Sequence, residues 1–143
     1  MPVRKANAIW EGNLTSGKGT VEVESGLFKG SYSFLTRFEE EKGTNPEELL
    51  GAAHAACYSM ALSSMLEMKG YKPARISTES NVHIEKVGDD FAITKIILIT
   101  RGNVPDIDKE TFFKIASEAK VGCPVSKALA ATTIELEAIL ITT

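Results

Sequence analysis

Cysteine is scarce in this chain: 143 residues contain only Cys57 and Cys123. Two thiols cannot build the disulfide framework of a small secreted domain, and in a reducing compartment they do not form a permanent staple. A transient redox pair stays open. Histidine is equally rare, with His54 and His83. No compact CxxC spacing marks a zinc site, so one made from Cys57, His54, Cys123 and His83 would have to be gathered by the fold. Positive charge is not in excess. The net charge of -3 offers no footprint for nucleic acid or an anionic membrane. The opening MPVRKANAIW lacks an apolar run of signal-peptide length, and no stretch approaches the roughly 20 apolar residues of a membrane span. The segment SGKGT lacks the spacing of a phosphate-binding loop. Repeats, linkers and low-complexity segments are missing too. These absences point to one soluble, cytoplasmic domain over residues 1–143.

What is present is organised around Asn45 to Lys69, NPEELLGAAHAACYSMALSSMLEMK. Asn45 reads as an N-cap, Pro46 fits the first helical position, and Glu48 completes a capping box. Glu47 and Glu48 place negative charge at the positive end of the helix dipole. Gly70 and Pro73 end the helix. Between the caps nearly every face is apolar or small, which predicts a helix buried on all sides. Gly51, Ala52, Ala53, Ala55 and Ala56 would let another backbone approach closely.

Before this helix, Ala6 to Glu11, Thr20 to Glu24 and Ser31 to Phe38 read as strands, the last from its aromatic content. After it, Arg75 to Val87 and Phe91 to Arg101 form a predicted β-hairpin across Gly88-Asp89-Asp90. A second helix starts over Pro105 to Asp108, turns Phe112, Ile115, Ala116 and Ala119 to one face, and stops at Gly122. A short third helix spans Pro124 to Ala130, with Cys123 as its N-cap. Thr132 to Ile141 closes the chain as an alternating strand. The order β-β-β-α-β-β-α-α-β predicts an α+β fold with antiparallel strands.

The chemistry-bearing residues read unequally. Cys123 sits where free N–H groups at a helix start favour a thiolate. It could equally be a small capping residue. Cys57 lies mid-helix with no helix end to activate it, so its own surroundings read as inert packing unless the fold brings a cation. His54, three residues earlier, can share its face. Arg37, beside the acidic run Glu39 to Glu41, is most simply a solvated charge. Glu47 is most simply a first-turn acid.

The segment TRFEEEKGTNPEELLGAAHAACYSMAL, Thr36 to Leu62, resembles the signature of the OsmC/Ohr family, the osmotically inducible protein C and organic hydroperoxide resistance proteins. EAKVGCPVSKAL, Glu118 to Leu129, resembles the family's second cysteine motif. The N-terminal WEG, GKGT and ESG fit the OsmC branch, as does RFEEEKGTNPEEL. The resemblance covers nearly the whole chain. It implies antiparallel sheets wrapped around a long central helix in an intertwined homodimer. It implies a thiol-dependent peroxidase that reduces organic hydroperoxides, hydrogen peroxide less well, in oxidative or osmotic stress. Cys57 would be the peroxidatic cysteine and Cys123 the resolving one. Arg37 would favour the thiolate and steady the leaving oxygen, and Glu47 would orient Arg37. No metal or organic cofactor is implied, and lipoyl groups are the expected dithiol reductant. Two competing classes are a non-enzymatic, dimeric ligand-binding stress protein of the same fold and a metal-binding protein using Cys57, His54 and Cys123.

The resemblance also raises a geometric problem. Ten residues of helix separate Glu47 from Cys57 by ~15 Å along the axis, and their directions differ by roughly 80°. Two copies of the helix, antiparallel about a two-fold axis near Ala52, would bring Glu47 of one chain toward Cys57 of the other. A helix broken near Gly51 is the alternative.

Overall fold

The computed structural model describes residues 1–141. Its elements run β1 (Ala6–Glu11), β2 (Lys18–Val23), β3 (Lys29–Tyr32), α1 (Phe34–Phe38), α2 (Pro46–Met68), β4 (Arg75–Val87), β5 (Asp90–Asn103), α3 (Lys109–Gly122), α4 (Pro124–Ala128) and β6 (Thr133–Leu140). Helices and two three-stranded sheets make it α+β, as predicted. The chain divides into two compact units, Met1–Leu49 and a second from Leu50 onward.

In the first unit, β1, β2 and β3 form an antiparallel meander. Gly19 of β2 pairs with Trp10 on one side and Tyr32 on the other. The two rings meet over it with centroids 5.4 Å apart. A Cβ at Gly19 would come within 2.7 Å of the Tyr32 ring and 2.8 Å of the Trp10 ring. Glycine is therefore what lets the aromatic pair close across the middle strand.

The predicted strand Ser31 to Phe38 is corrected: the strand stops at Tyr32, and Phe34–Phe38 is the helix α1. Its cause is a capping box. Ser33 Oγ accepts from Thr36 N (3.2 Å), and Thr36 Oγ1 accepts from Ser33 N (2.8 Å). The Phe34 and Phe38 rings, one helical turn apart, lie 4.9 Å apart. Arg37 thus stands in the last turn of a helix and not at a strand end.

In the second unit β4 and β5 pair as the predicted hairpin, joined by a two-residue turn with Gly88 at φ 64°. Strand β6 departs from the antiparallel expectation and runs parallel to β5. The physical reason is the connection: α3 and α4 intervene, a crossover long enough to return the chain in the same direction. The core holds Tyr58, Leu62 and Leu66 of α2, Ile96 and Leu98 of β5, and Phe112, Ile115, Ala116 and Ala119 of α3. The α3 face is the one predicted. Asp108 caps α3 by accepting from Thr111 N at 2.7 Å.

Helix α2 is unbroken through Gly51. Asn45 Oδ1 accepts from Glu48 N at 2.7 Å, whereas the Glu48 carboxylate is engaged by the Thr44 hydroxyl at 3.1 Å. At the other end Gly70 takes φ 91°, and Tyr71 N and Gly70 N bond back to Leu66 O and Glu67 O, a Schellman closure. Burial on all sides is not what one chain provides. Gly51, His54, Tyr58, Leu62 and Leu66 are buried, while Ala52, Ala53, Ala56 and Met60 are exposed. The helix is also long and apolar enough to cross a membrane by length and composition, which corrects the reading that no stretch approaches a span. The core helix of a soluble protein has the same composition, and α2 gives its Tyr58 face to a protein core.

Candidate active site

The residues singled out in the sequence fall into two pairs. The first is Arg37 and Glu47. Arg37 Nη2 donates to Glu47 Oε1 at 2.7 Å, and Nε lies 3.1 and 3.2 Å from the two carboxylate oxygens. This is the fork-on-carboxylate geometry that fixes a guanidinium plane. The pairing is set locally. Asn45 Nδ2 donates to Thr36 O at 3.1 Å, tying the start of α2 to the α1 turn that carries Arg37. The Glu47 side chain is nearly buried at 7% exposure, while Arg37 keeps 35%. Glu47 occupies two nitrogens of a group with five N–H donors, so donors remain for an anion. Arg37 also lies over the Phe38 ring, 5.2 Å from its centroid. A cavity of about 210 Å³ opens beside it, lined by Trp10, Leu14, Tyr32, Phe34 and Phe38.

The second pair is Cys57 and Cys123, with sulfurs 3.1 Å apart. Both are free thiols, Cys123 fully buried and Cys57 half-buried. Cys123 serves at once as C-cap of α3 and N-cap of α4, with Pro124 following at the first helical position. Its backbone N–H reaches Ala119 O and its carbonyl receives Lys127 N, both at 3.0 Å.

The thiols differ electrostatically. Burial pushes Cys57 up, the Val125 N–H pulls it down, and the Cys123 sulfur beside it pushes up again; the net direction is up. Burial also pushes Cys123 up. That is outweighed by the Ser126 N–H, the Cys57 thiol, the Ser126 hydroxyl and the Val125 N–H, and the net direction is down. The Cys123 sulfur makes no N-cap hydrogen bond to the start of α4, so the two backbone N–H groups act on it as dipoles. Left to these neighbours, Cys123 is the more acidic thiol of the pair. Nearby, burial and then the Cys123 charge push the Tyr58 phenol up, keeping it a donor to Ala116 O at 2.8 Å.

Sequence reasoning missed one member of this cluster. Ser126 is buried, and its hydroxyl lies 2.8 Å from Nε2 of the fully buried His54. A signal existed in the three-residue spacing of His54 to Cys57 and of Cys123 to Ser126. Among the described residues no three His, Cys, Asp or Glu side chains are grouped as a metal site would need.

Two free thiols 3.1 Å apart form a pair able to close to a disulfide, which defines a thiol-redox site. Residues 39–137 match the OsmC-like protein family, and the chain belongs to that family. It is 56% identical to the peroxiredoxin OsmC of Escherichia coli over 129 residues, 90% of each chain. It is 33% identical over 87 residues to the organic hydroperoxide resistance protein of Xanthomonas axonopodis pv. citri, covering 60% of this chain and 59% of the relative. Among solved structures, OhrB of Bacillus subtilis superposes with a TM-score of 0.73 at 22% identity, covering 96% of this chain and 98% of that one. An OsmC-like protein from Mycoplasma pneumoniae gives 0.75 at 16% identity, with 99% of both chains covered.

Proposed function

We infer that the chain is a thiol-dependent peroxidase acting on organic hydroperoxides. The observation that carries this reading is the 3.1 Å approach of its only two thiols, within a chain 56% identical to a peroxiredoxin. The Cys57 thiolate attacks the distal peroxide oxygen. The O–O bond breaks, the alkoxide leaves and takes a proton, and Cys57 becomes a sulfenic acid. Cys123 then attacks that sulfur, forming the disulfide and expelling hydroxide, which is protonated to water. An external dithiol, for which we propose protein-bound or free lipoyl groups, reduces the disulfide by exchange.

The Arg37–Glu47 pair supplies the cation this scheme needs. The surroundings of Cys57 push its thiol up, so a positive group must act on it to hold a thiolate near neutral pH. The aromatic cavity beside Arg37 suits an alkyl or aryl tail, which supports a preference for organic hydroperoxides over hydrogen peroxide. The exposed Ala52, Ala53, Ala56 and Met60 stripe of α2, and the ten unbroken helical residues between Glu47 and Cys57, support a homodimer. In it each site takes Cys57 and Cys123 from one chain and Glu47 from the other. We propose that the whole chain acts as one domain in the cytoplasm, in stress defence.

Peroxide consumption tests the reading, with cumene hydroperoxide against hydrogen peroxide and dihydrolipoamide as reductant. Turnover of the organic substrate is expected to exceed that of hydrogen peroxide and to vanish in Cys57→Ser. No consumption of either peroxide by the folded native protein would refute the reading and favour the ligand-binding alternative; undiminished turnover in folded Cys57→Ser would remove Cys57 from the chemistry.

A further inference from the structure

Two short spacings face each other in the second unit. His54 and Cys57 are three residues apart on α2; Cys123 and Ser126 are three residues apart at the start of α4. Their side chains meet as two rungs, His54 to Ser126 at 2.8 Å and Cys57 to Cys123 at 3.1 Å. The His54–Ser126 rung is buried at both ends, His54 at 0% and Ser126 at 4% exposure. A polar pair this deep is costly unless its bond is kept, so it behaves as a clamp between the two helices.

We propose that His54 and Ser126 position the resolving cysteine: they hold α4 so that Cys123 faces Cys57, and they present the Ser126 hydroxyl as a donor to the Cys123 thiolate. The inference rests on the peroxidase reading for its place in the cycle, but the interaction itself does not need turnover.

The direction of the hydrogen bonds follows from donor counting. A serine hydroxyl has one proton. If it goes to the Cys123 sulfur, the Ser126 oxygen must accept from His54, which places the imidazole proton on Nε2. Nδ1 has no partner among the described residues, as suits a bare lone pair better than an N–H. Burial pushes His54 down, so the ring is neutral at neutral pH and this tautomer is available. The Ser126 hydroxyl is among the groups that hold Cys123 down.

The chemical benefit falls on the second half of the cycle. Peroxide attack needs charge on Cys57, and a low Cys123 does nothing for it. Disulfide closure needs a nucleophile at Cys123. The Cys123 thiolate gives its electron pair to the Cys57 sulfur, the S–O bond breaks, and hydroxide departs. In the reducing step the same stabilisation makes Cys123 the better leaving group, directing the reductant's thiolate to the Cys57 sulfur.

The test uses full-length protein carrying Cys57→Ser, in which Cys123 is the only thiol. Thiolate absorbance at 240 nm, titrated below pH 9 before the tyrosines ionise, reports Cys123 alone. Adding Ser126→Ala or His54→Leu is expected to raise the midpoint by about one pH unit. His54→Gln keeps a donor at the Nε2 position and is expected to restore most of that shift. In the two-cysteine protein, Ser126→Ala is expected to slow disulfide closure about tenfold relative to sulfenic acid formation after one equivalent of cumene hydroperoxide. An unmoved midpoint in folded Ser126→Ala overturns the proposal, whatever His54→Leu does to folding. If the midpoint moves but the native two-cysteine protein consumes no hydroperoxide, the peroxidase reading fails and the positioning role stands.

Discussion

Removing Arg37 should cost the enzyme its thiolate before it costs the protein its fold. In Arg37→Ala, Cys57 is left with neighbours that push its thiol up, burial first and Cys123 after it. A guanidinium about 4 Å from a thiolate at an effective dielectric near 20 contributes about 4 kcal/mol, or about three pKa units. The Arg37 side chain is 35% exposed, so solvent and salt reduce that ceiling; one to two units is the working figure. Peroxide attack at pH 7 should therefore fall roughly ten- to hundredfold. The same substitution strands the Glu47 carboxylate at 7% exposure, costing about 2 kcal/mol of stability after discounting for the exposed partner. Adding Glu47→Gln should recover most of the stability and none of the rate. The assay is the alkylation rate of Cys57 against pH in a Cys123→Ser background, where Cys57 is the only thiol, with thermal unfolding alongside. Deprotonation makes the nucleophile, so the rate must rise with pH through the Cys57 midpoint, and Arg37→Ala must move that rise upward. A folded Arg37→Ala protein with an unmoved midpoint would remove the arginine from the mechanism.

Cys123→Ser should reduce one equivalent of hydroperoxide and then stall as sulfenic acid or over-oxidise, which mass spectrometry reads; loss of that first equivalent, with Cys57→Ser retaining it, would reverse the roles. Mixing inactive Cys57→Ser and Glu47→Ala subunits should recover activity, because one of the heterodimer's two sites would be whole; no recovery after verified exchange argues for a site within one chain. His54 is held below its ordinary 6.5 by burial, so the unfolded chain binds the extra proton first. Its contribution is complete above pH 6.5 and is lost as pH falls through the folded value, so the melting temperature should drop below about pH 6.5, and His54→Gln should flatten that slope.

Legibility varied with the range of the interaction. The α2 caps, the hairpin turn and the apolar face of α3 depend on neighbours within four residues, and periodicity exposed them. Helix α1 is also local, yet Tyr32, Phe34 and Phe38 suggested a strand. The better signal was Ser33 to Thr36, a capping-box spacing followed by aromatics one turn apart. The parallel direction of β6 is invisible in its alternating pattern, which reports only a half-buried strand. The intervening helices carried that information. At the candidate site, the roles of Cys57, Cys123, Arg37 and Glu47 came from the family resemblance, because composition alone made two of them surface charges and one inert packing. For Ser126 the matching three-residue spacings were the one signal; its partner is 72 residues away, and only the packing of α4 on α2 unites them.

The crossover that makes β6 parallel has a consequence for how the chain matures. Cys57 and Cys123 are 66 positions apart, and Cys123 lies at the junction of the two crossover helices. Contacts of that span must first meet the loop-closure entropy of the intervening chain. On the proposed cycle, a chain that has not yet docked the crossover has no resolving partner at hand for Cys57, so productive cycling waits for that docking. The converse applies to the finished protein. Closing the proposed disulfide would tie a loop of that length, which in the chain-entropy picture is worth about 4 kcal/mol to the folded state. Each turn of the cycle would then take the molecule between a looser and a tighter form, with the oxidised one the harder to unfold while it waits for reductant.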